Sequence, residues 1–214
     1  MKTLFLIFHG FNAANGISKK IHYQVQAFEA NGVETHLCYL SDEHGIKQRM
    51  IDQEVLVYYG GGLKGKLYKR FEFNSIAHYA IKNQINLVYI RSDHNANPFT
   101  IRLVRKIKEA GIHVVMEIPT YPYDQEYTSF FKKLLLFIDK CFRKQLAKYL
   151  DRIITFSNYK TIFGIKTLQI SNGIDFNAIP LKRQTNDTSN EIHLIGVAEI
   201  HFWHGYDRLL KGLA

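Results

Sequence analysis

Residues 86–119, NLVYIRSDHNANPFTIRLVRKIKEAGIHVVMEIP, decide the fold. Two short apolar runs, NLVYIRSD (86–93) and IHVVMEIP (112–119), bracket residues 98–110, whose apolar positions recur at helical spacing. Gly111 closes the helical stretch, as glycine does at helix ends. Near-continuous apolar runs are the mark of strands covered on both faces. Strand, helix, strand in immediate succession is the repeating unit of a parallel sheet.

The same alternation extends in both directions. TLFLIFHG (3–10) reads as the first strand, followed by the loop FNAANG and a helix from Ser18 to Ala30 with Ile21, Val25 and Phe28 inward. Asn31-Gly32 stops it, and residues 33–40 (VETHLCYL) form the second strand. EVLVYYGG (54–61) is the third, leading into a glycine-rich basic loop and a helix near 71–83. NLVYIRSD and IHVVMEIP are the fourth and fifth. Residues 125–149 read as one long helix or two abutting ones, and DRIITFS (151–157) as the sixth strand. Tyr159 to Phe163 make a brief turn or helix before a further strand, KTLQISNG (166–173). The expected fold is therefore α/β, a Rossmann-like open, mostly parallel sheet with helices on both faces.

Three segments are expected. Residues 1–181 form the main domain, and the polar, aperiodic KRQTNDTSNE (182–191) a linker. In residues 192–214, IHLIG (192–196) reads as a strand, EIHFWHG (199–205) as a turn and YDRLLKGL (206–213) as an opening helix. One strand and one helix cannot bury their own apolar faces. That segment is thus expected to be the entry into a second α/β domain continuing past Ala214.

Composition narrows the partners. A net charge of +9, from 28 basic and 19 acidic residues, favours anionic or phosphorylated ligands. No nucleic-acid motif accompanies the charge, so nucleic acid ranks last. Cys38 and Cys141 lie far apart and match no disulfide or metal pattern, which suits a reducing, cytoplasmic setting. The apolar stretch Leu4 to Phe8 is short for a secretion signal and His9 interrupts it, so a first strand explains it better. No apolar run approaches the roughly 18 residues that read as a transmembrane helix.

Every chemically suggestive group follows the carboxyl end of a strand, where ligands bind open α/β sheets. Asn15, Gly16, Ile17 and Ser18 join the first strand to its helix, as a tight turn or as an anion-facing loop on a helix amino end. The spacing is neither a dinucleotide fingerprint nor a Walker loop. Lys64 and Lys66 lie in the basic loop after the third strand, solvated or in contact with an anionic acceptor or lipid. Arg91 and Asp93 follow the fourth strand, as an ordinary salt-bridged end or a grip on an acidic ligand. In EIPTYPYDQE, Glu117 sits at a strand end among apolar residues. Tyr121 and Tyr123 flank Pro122 and suit stacking on a sugar, while Asp124 and Glu126 can accept hydroxyl hydrogen bonds.

Between residues 130 and 150, Phe131, Leu134, Leu135, Ile138, Phe142 and Leu146 recur at helical spacing among Lys132, Lys133, Lys140, Arg143, Lys144 and Lys148. That pattern fits a helix packed on the sheet, a helix at an anionic membrane surface, or both. No H-E-x-x-H pair, cysteine cluster or G-x-S-x-G turn is present.

The Gly16 loop, EIPTYPYDQE, TFS, ISNGID and LIGVAEIHFWHGYDRLLKGL together resemble the family 4 retaining glycosyltransferases of the GT-B fold, across nearly the whole chain. The resemblance implies transfer of a sugar from a nucleotide-sugar donor, with retention, to a glycan or polyprenyl-linked acceptor. It implies no metal or other cofactor, and a peripheral position on the inner face of the cell membrane. Asn15, Gly16, Ile17 and Ser18 would face the donor diphosphate, with Gly196, His204 and Gly205 opposite. Glu117 through Glu126, with Arg91 and Asp93, would lie by the reacting sugar. Lys64, Lys66, Lys132, Lys133, Arg143 and Lys144 would meet acceptor or membrane.

Two departures stand out. Relatives carry a histidine in the loop after the fifth strand, whereas none stands between His113 and Glu126 here. They also carry an arginine and a lysine where this chain has Val197 and His204. A non-catalytic glycan- or membrane-surface-binding module is the alternative.

Overall fold

The structure is a computed structural model that describes residues 1–12, 15–91, 96–124, 129–173, 195 and 205–213. It forms two compact units, Met1–Asp175 and Phe176–Ala214. In the first, β1 (Lys2–Gly10) is central, and four successive side chains, Leu4 to Ile7, are wholly buried. A strand buried on both faces has no use for polar alternation, which is why this run is continuously apolar. It pairs in parallel with β2 (Glu34–Glu43) on one side and β5 (Leu87–Arg91) on the other. β6 (His113–Ile118), β7 (Arg152–Thr155) and β9 (Ile165–Gln169) extend the parallel series. With β3 (Ile46–Ile51), β4 (Glu54–Gly60) and β8 (Thr161–Ile162), the nine-stranded order is β4-β3-β2-β1-β5-β6-β7-β9-β8, a mixed, mostly parallel Rossmann-like sheet.

Alternate side chains of the sheet feed two cores. One face packs Phe5, Ile7, Tyr89 and Ile154 against Ile21, Val25 and Phe28 of α1 (Gly16–Ala30), the inward stripe expected from the sequence. The other packs Leu4, Leu6, Val88 and Ile90 against α3 (Asn74–Lys82), α4 (Pro98–Glu109) and α5 (Phe130–Ala147). The chain leaves β1 toward β2 on one side and returns to β5 on the other, so the switch point lies between β1 and β5.

Four local readings need correction. Residues 46–51 form a strand, β3 (Ile46–Ile51), antiparallel to both β2 and β4 (Glu54–Gly60). Its lysine, glutamine and arginine hid it, for Gln48 and Arg49 are buried. His44 and Gly45, both at positive φ, make the two-residue turn that twists with the strands. The glycine-rich basic segment is a helix, α2 (Gly62–Tyr68), not a loop. Gly65 lets it press on the end of β4, where an added Cβ would lie 2.1 Å from the Gly60 carbonyl oxygen. Thr161–Ile162 is a short strand, β8, folded back on β9 rather than a helix.

The fourth correction concerns α5, one helix whose buried residues are Leu136, Asp139, Leu146 and Ala147. Phe131 and Leu134, expected inward, are exposed. In the second unit Gly205, at φ +68, precedes α6 (Tyr206–Leu213). The expected linker, the strand at 192–196 apart from Ile195, and most of the turn at 199–205 lie outside the described residues. No described helix is long and apolar enough to cross a membrane.

Candidate functional site

Parallel pairing brings the carboxyl ends of β1, β5, β6 and β7 to one edge, and with them the loops that follow. In register across the sheet, Ile7 lies beside Arg91, Arg91 beside Glu117, and Glu117 beside Ile154. Arg91 and Glu117 share the face covered by α1, next to the switch point. A charged pair here sits at the last turns of otherwise apolar strands, where only a partnered charge is tolerated.

Glu117 is fully buried, and Arg91 is nearly so. Arg91 Nη1 is 3.4 Å from Glu117 Oε1. Glu117 Oε2 accepts hydrogen bonds from the Tyr89 hydroxyl at 2.6 Å and from Gln24 Nε2 at 2.7 Å. Arg91 Nη1 donates to Gln24 Oε1 at 3.3 Å, so Gln24 bridges both members of the pair from α1. Glu117 Oε1 is buried without a hydrogen bond. Burial, followed by the Glu117 charge, pushes the Tyr89 phenol far above its usual range, keeping it a neutral donor.

One turn before Gln24, Lys20 reaches toward the edge. Its ammonium donates to Asn172 Oδ1 at 2.6 Å and sits 3.6 Å from the centre of the Phe156 ring. Burial lowers the Lys20 pKa, and the Arg91 charge lowers it further, while Glu117 opposes both. Two cations thus share one carboxylate. The first turn of α1 has no acidic residue and ends in Lys19-Lys20, the reverse of what the helix dipole favours. This concentration of positive potential suits an anionic ligand.

The loop entering α1 is braced internally. Asn15 caps the helix, its Oδ1 accepting from Ile17 N at 2.7 Å. Ser18 is buried, its Oγ accepting from Asn12 N at 3.0 Å, so its hydroxyl holds the loop rather than facing outward. Gly16 has a negative φ and open space where a Cβ would stand. The folded chain does not itself require glycine there, which leaves room for a ligand.

After β6 the predicted residues divide. Tyr123 is wholly buried and donates to Asp139 Oδ2 at 2.7 Å, so it belongs to the core and offers no stacking face. Tyr121 packs edge-on against Tyr159 and Phe163. Asp124 is ion-paired with Arg143 at 2.8 Å and Lys140 at 2.9 Å. Burial raises its pKa, but the hydrogen bonds from Arg143 and Lys140 outweigh that and hold it low. Arg143 lies between Asp124 and the Phe163 ring and is committed to the fold, which corrects its assignment to a membrane face. Glu117 likewise positions Arg91 and Gln24 instead of meeting solvent.

Lys64 and Lys66 are exposed on α2, and Lys132, Lys133 and Lys144 on α5. Asp93, Glu126, Gly196 and His204 lie outside the described residues, and Gly205 belongs to the second unit. Lys20, Gln24 and Tyr89 escaped the sequence reading. Lys20 and Gln24 stand one helical turn apart beside the inward Ile21, the signal that could have exposed them. Among the described residues no group of three or more His, Cys, Asp or Glu is placed to hold a metal. No family model and no curated protein matches the chain.

Proposed function

We propose that the chain is the acceptor-side domain of a retaining glycosyltransferase that uses a nucleotide-sugar donor. The observation that carries this reading is the convergence of the Gly16 loop, Lys20, Arg91 and the Tyr121 loop on the carboxyl edge beside the β1/β5 switch point. In this reading the α1 amino end and Lys20 offset the donor diphosphate, and open space at Gly16 admits close approach. Arg91, held by Glu117 and Gln24, supplies a fixed second cation. The acceptor is a glycan or a polyprenyl-linked sugar, and the leaving diphosphate oxygen takes the proton of the acceptor hydroxyl on the same face.

A surface-binding module is the second reading. It draws on α5, where exposed Phe130, Phe131 and Phe137 surround exposed Lys132 and Lys133. One experiment separates the two. The full gene product is incubated with a panel of nucleotide sugars and a lipid-linked acceptor extract, and nucleoside diphosphate release is measured. The transferase reading expects release with at least one donor, dependent on acceptor. Glycan or vesicle binding with no release across the panel would replace it with the module.

A further inference from the structure

On the sheet face opposite α1, the same carboxyl edge holds a second feature, a cavity of about 420 Å³. Small-molecule pockets run to roughly 300–1,000 Å³. Its walls are apolar, with Phe8, Phe71, Phe73 and Phe99 among them, yet Arg49, Lys69 and Arg70 also line it. The helix α4 begins at its rim, where Asn97 caps the first turn.

Arg49 is the unusual member. It is wholly buried, and among the described residues no carboxylate lies within salt-bridge distance of it. Its Nη1 donates to the Ile7 carbonyl at 3.0 Å and its Nε to the Tyr59 hydroxyl at 3.3 Å. Those two bonds tie β3 to β1 and β4 but neutralise nothing. The nearby ionisable groups do not supply a counter-charge either. Burial pushes the Cys38 thiol up to about 11 and raises the Tyr59 phenol, so both stay neutral. Glu72, which accepts from Ser75 N at 3.0 Å and Oγ at 2.7 Å, forms no ion pair with Arg49, and Asp42 is paired with Lys47.

A buried guanidinium without a counter-ion is strongly unfavourable. The surroundings add to the excess. Burial lowers the Lys69 pKa, and repulsion from Lys47, Arg70 and Arg49 lowers it further, while Asp42 opposes them. The opening is apolar. Phe71 and Phe99, both substantially exposed, face one another at 4.8 Å, and Arg70 lies 5.5 Å from the centre of the exposed Phe131 ring. From Phe131 the exposed Phe130, Leu134 and Phe137 of α5 continue the apolar surface outward.

We propose that this cavity binds a phosphate ester of a hydrocarbon alcohol, with the phosphate held by Arg49, Lys69 and Arg70 and the hydrocarbon running over the Phe71–Phe99 ring pair onto the exposed face of α5. Three cations call for more charge than a carboxylate offers, whereas a phosphate monoester carries about −1.5 to −2 near neutral pH. The aromatic walls exclude a bare inorganic ion as the best occupant. A soluble alkyl or prenyl phosphate and a membrane lipid headgroup share this chemistry. In the transferase reading the occupant is the acceptor, and only that role rests on the reading; binding itself does not.

Octyl phosphate, inorganic phosphate and 1-octanol are titrated onto the full chain, with binding followed by calorimetry and by thermal shift. Octyl phosphate is expected to bind at least 10-fold more tightly than either the head or the tail alone. Lys69→Gln/Arg70→Gln, at positions not fully buried, is expected to weaken it at least 10-fold with an unchanged circular dichroism spectrum. Arg49→Met is expected to weaken it further; if that variant fails to fold, the double variant decides. Vesicles containing phosphatidic acid that displace octyl phosphate identify the membrane as the source of the headgroup; vesicles that bind without displacing it, or not at all, identify a soluble phosphate. Equal affinity for octanol or inorganic phosphate, or octyl phosphate binding untouched by the double variant, overturns the proposal. Loss of diphosphate release in the transferase assay would leave this result standing, so the two failures are distinguishable.

Discussion

Glu117 carries more of the site than its distance from solvent suggests. It holds Arg91 in place on the neighbouring strand, receives Tyr89 from below and ties both to α1 through Gln24. Removing its charge while keeping its shape leaves Arg91 buried without a counter-ion, and breaking a buried pair costs on the order of 3 kcal/mol. Glu117→Gln is therefore expected to lower unfolding stability by about 3 kcal/mol. Tyr89→Phe, which removes one neutral donor, is expected to cost about 1 kcal/mol. Urea denaturation of the two variants checks the ordering. Equal, small losses would mean that the pair is not coupled as its geometry indicates. Of this network the sequence exposed Arg91 and Glu117, because charge at the end of an apolar run stands out. Gln24 and Tyr89 did not, since a polar helix residue and a strand tyrosine look ordinary until the fold faces them toward a carboxylate.

Among the elements, α5 departs furthest from its pattern. Leu136, Asp139 and Leu146 face the protein, and Asp139 is buried because Tyr123 and the Ala96 N–H donate to it. Helical period in the sequence marked an apolar side but could not show that a buried carboxylate shares it. The consequence is an exposed apolar and basic surface at the amino end, made by Phe130, Phe131, Lys132, Lys133, Leu134 and Phe137. Neutralising Lys132, Lys133 and Lys144 tests the proposed membrane contact, with Arg143 left intact because it is paired with Asp124. Each lysine near an anionic surface contributes about 1 kcal/mol, so the triple variant is expected to bind anionic liposomes about 100-fold more weakly. Its stability should be unchanged within about 0.5 kcal/mol, as for other exposed substitutions. Liposome sedimentation and chemical denaturation measure the two; undiminished sedimentation would remove the helix from that role. Strand β3 was illegible for a related reason. Arg49 at a core position breaks the alternation by which a strand is recognised.

For the whole molecule, the parallel series was legible because βαβ repetition needs only runs of apolar residues and helical period, both abundant from Lys2 to Gln169. The antiparallel additions β3 and β8 depend on turns and on individual buried polar residues, which leave weaker marks. The position of the loops follows from the topology alone. Parallel strands carry Gly10, Arg91, Ile118 and Thr155 to a single edge, so under the proposed function a diphosphate arriving there would meet the α1 amino end and Lys20 together. Hydrogen–deuterium exchange of the full gene product with and without pyrophosphate, the group shared by nucleotide-diphosphate sugars, examines this directly. Protection is expected in peptides spanning Phe11 to Ile21 and Pro119 to Asp124, with no change at the opposite edge around Gly32, Ile85 and Ile112. Protection confined to that opposite edge, or none at millimolar pyrophosphate, would contradict the account.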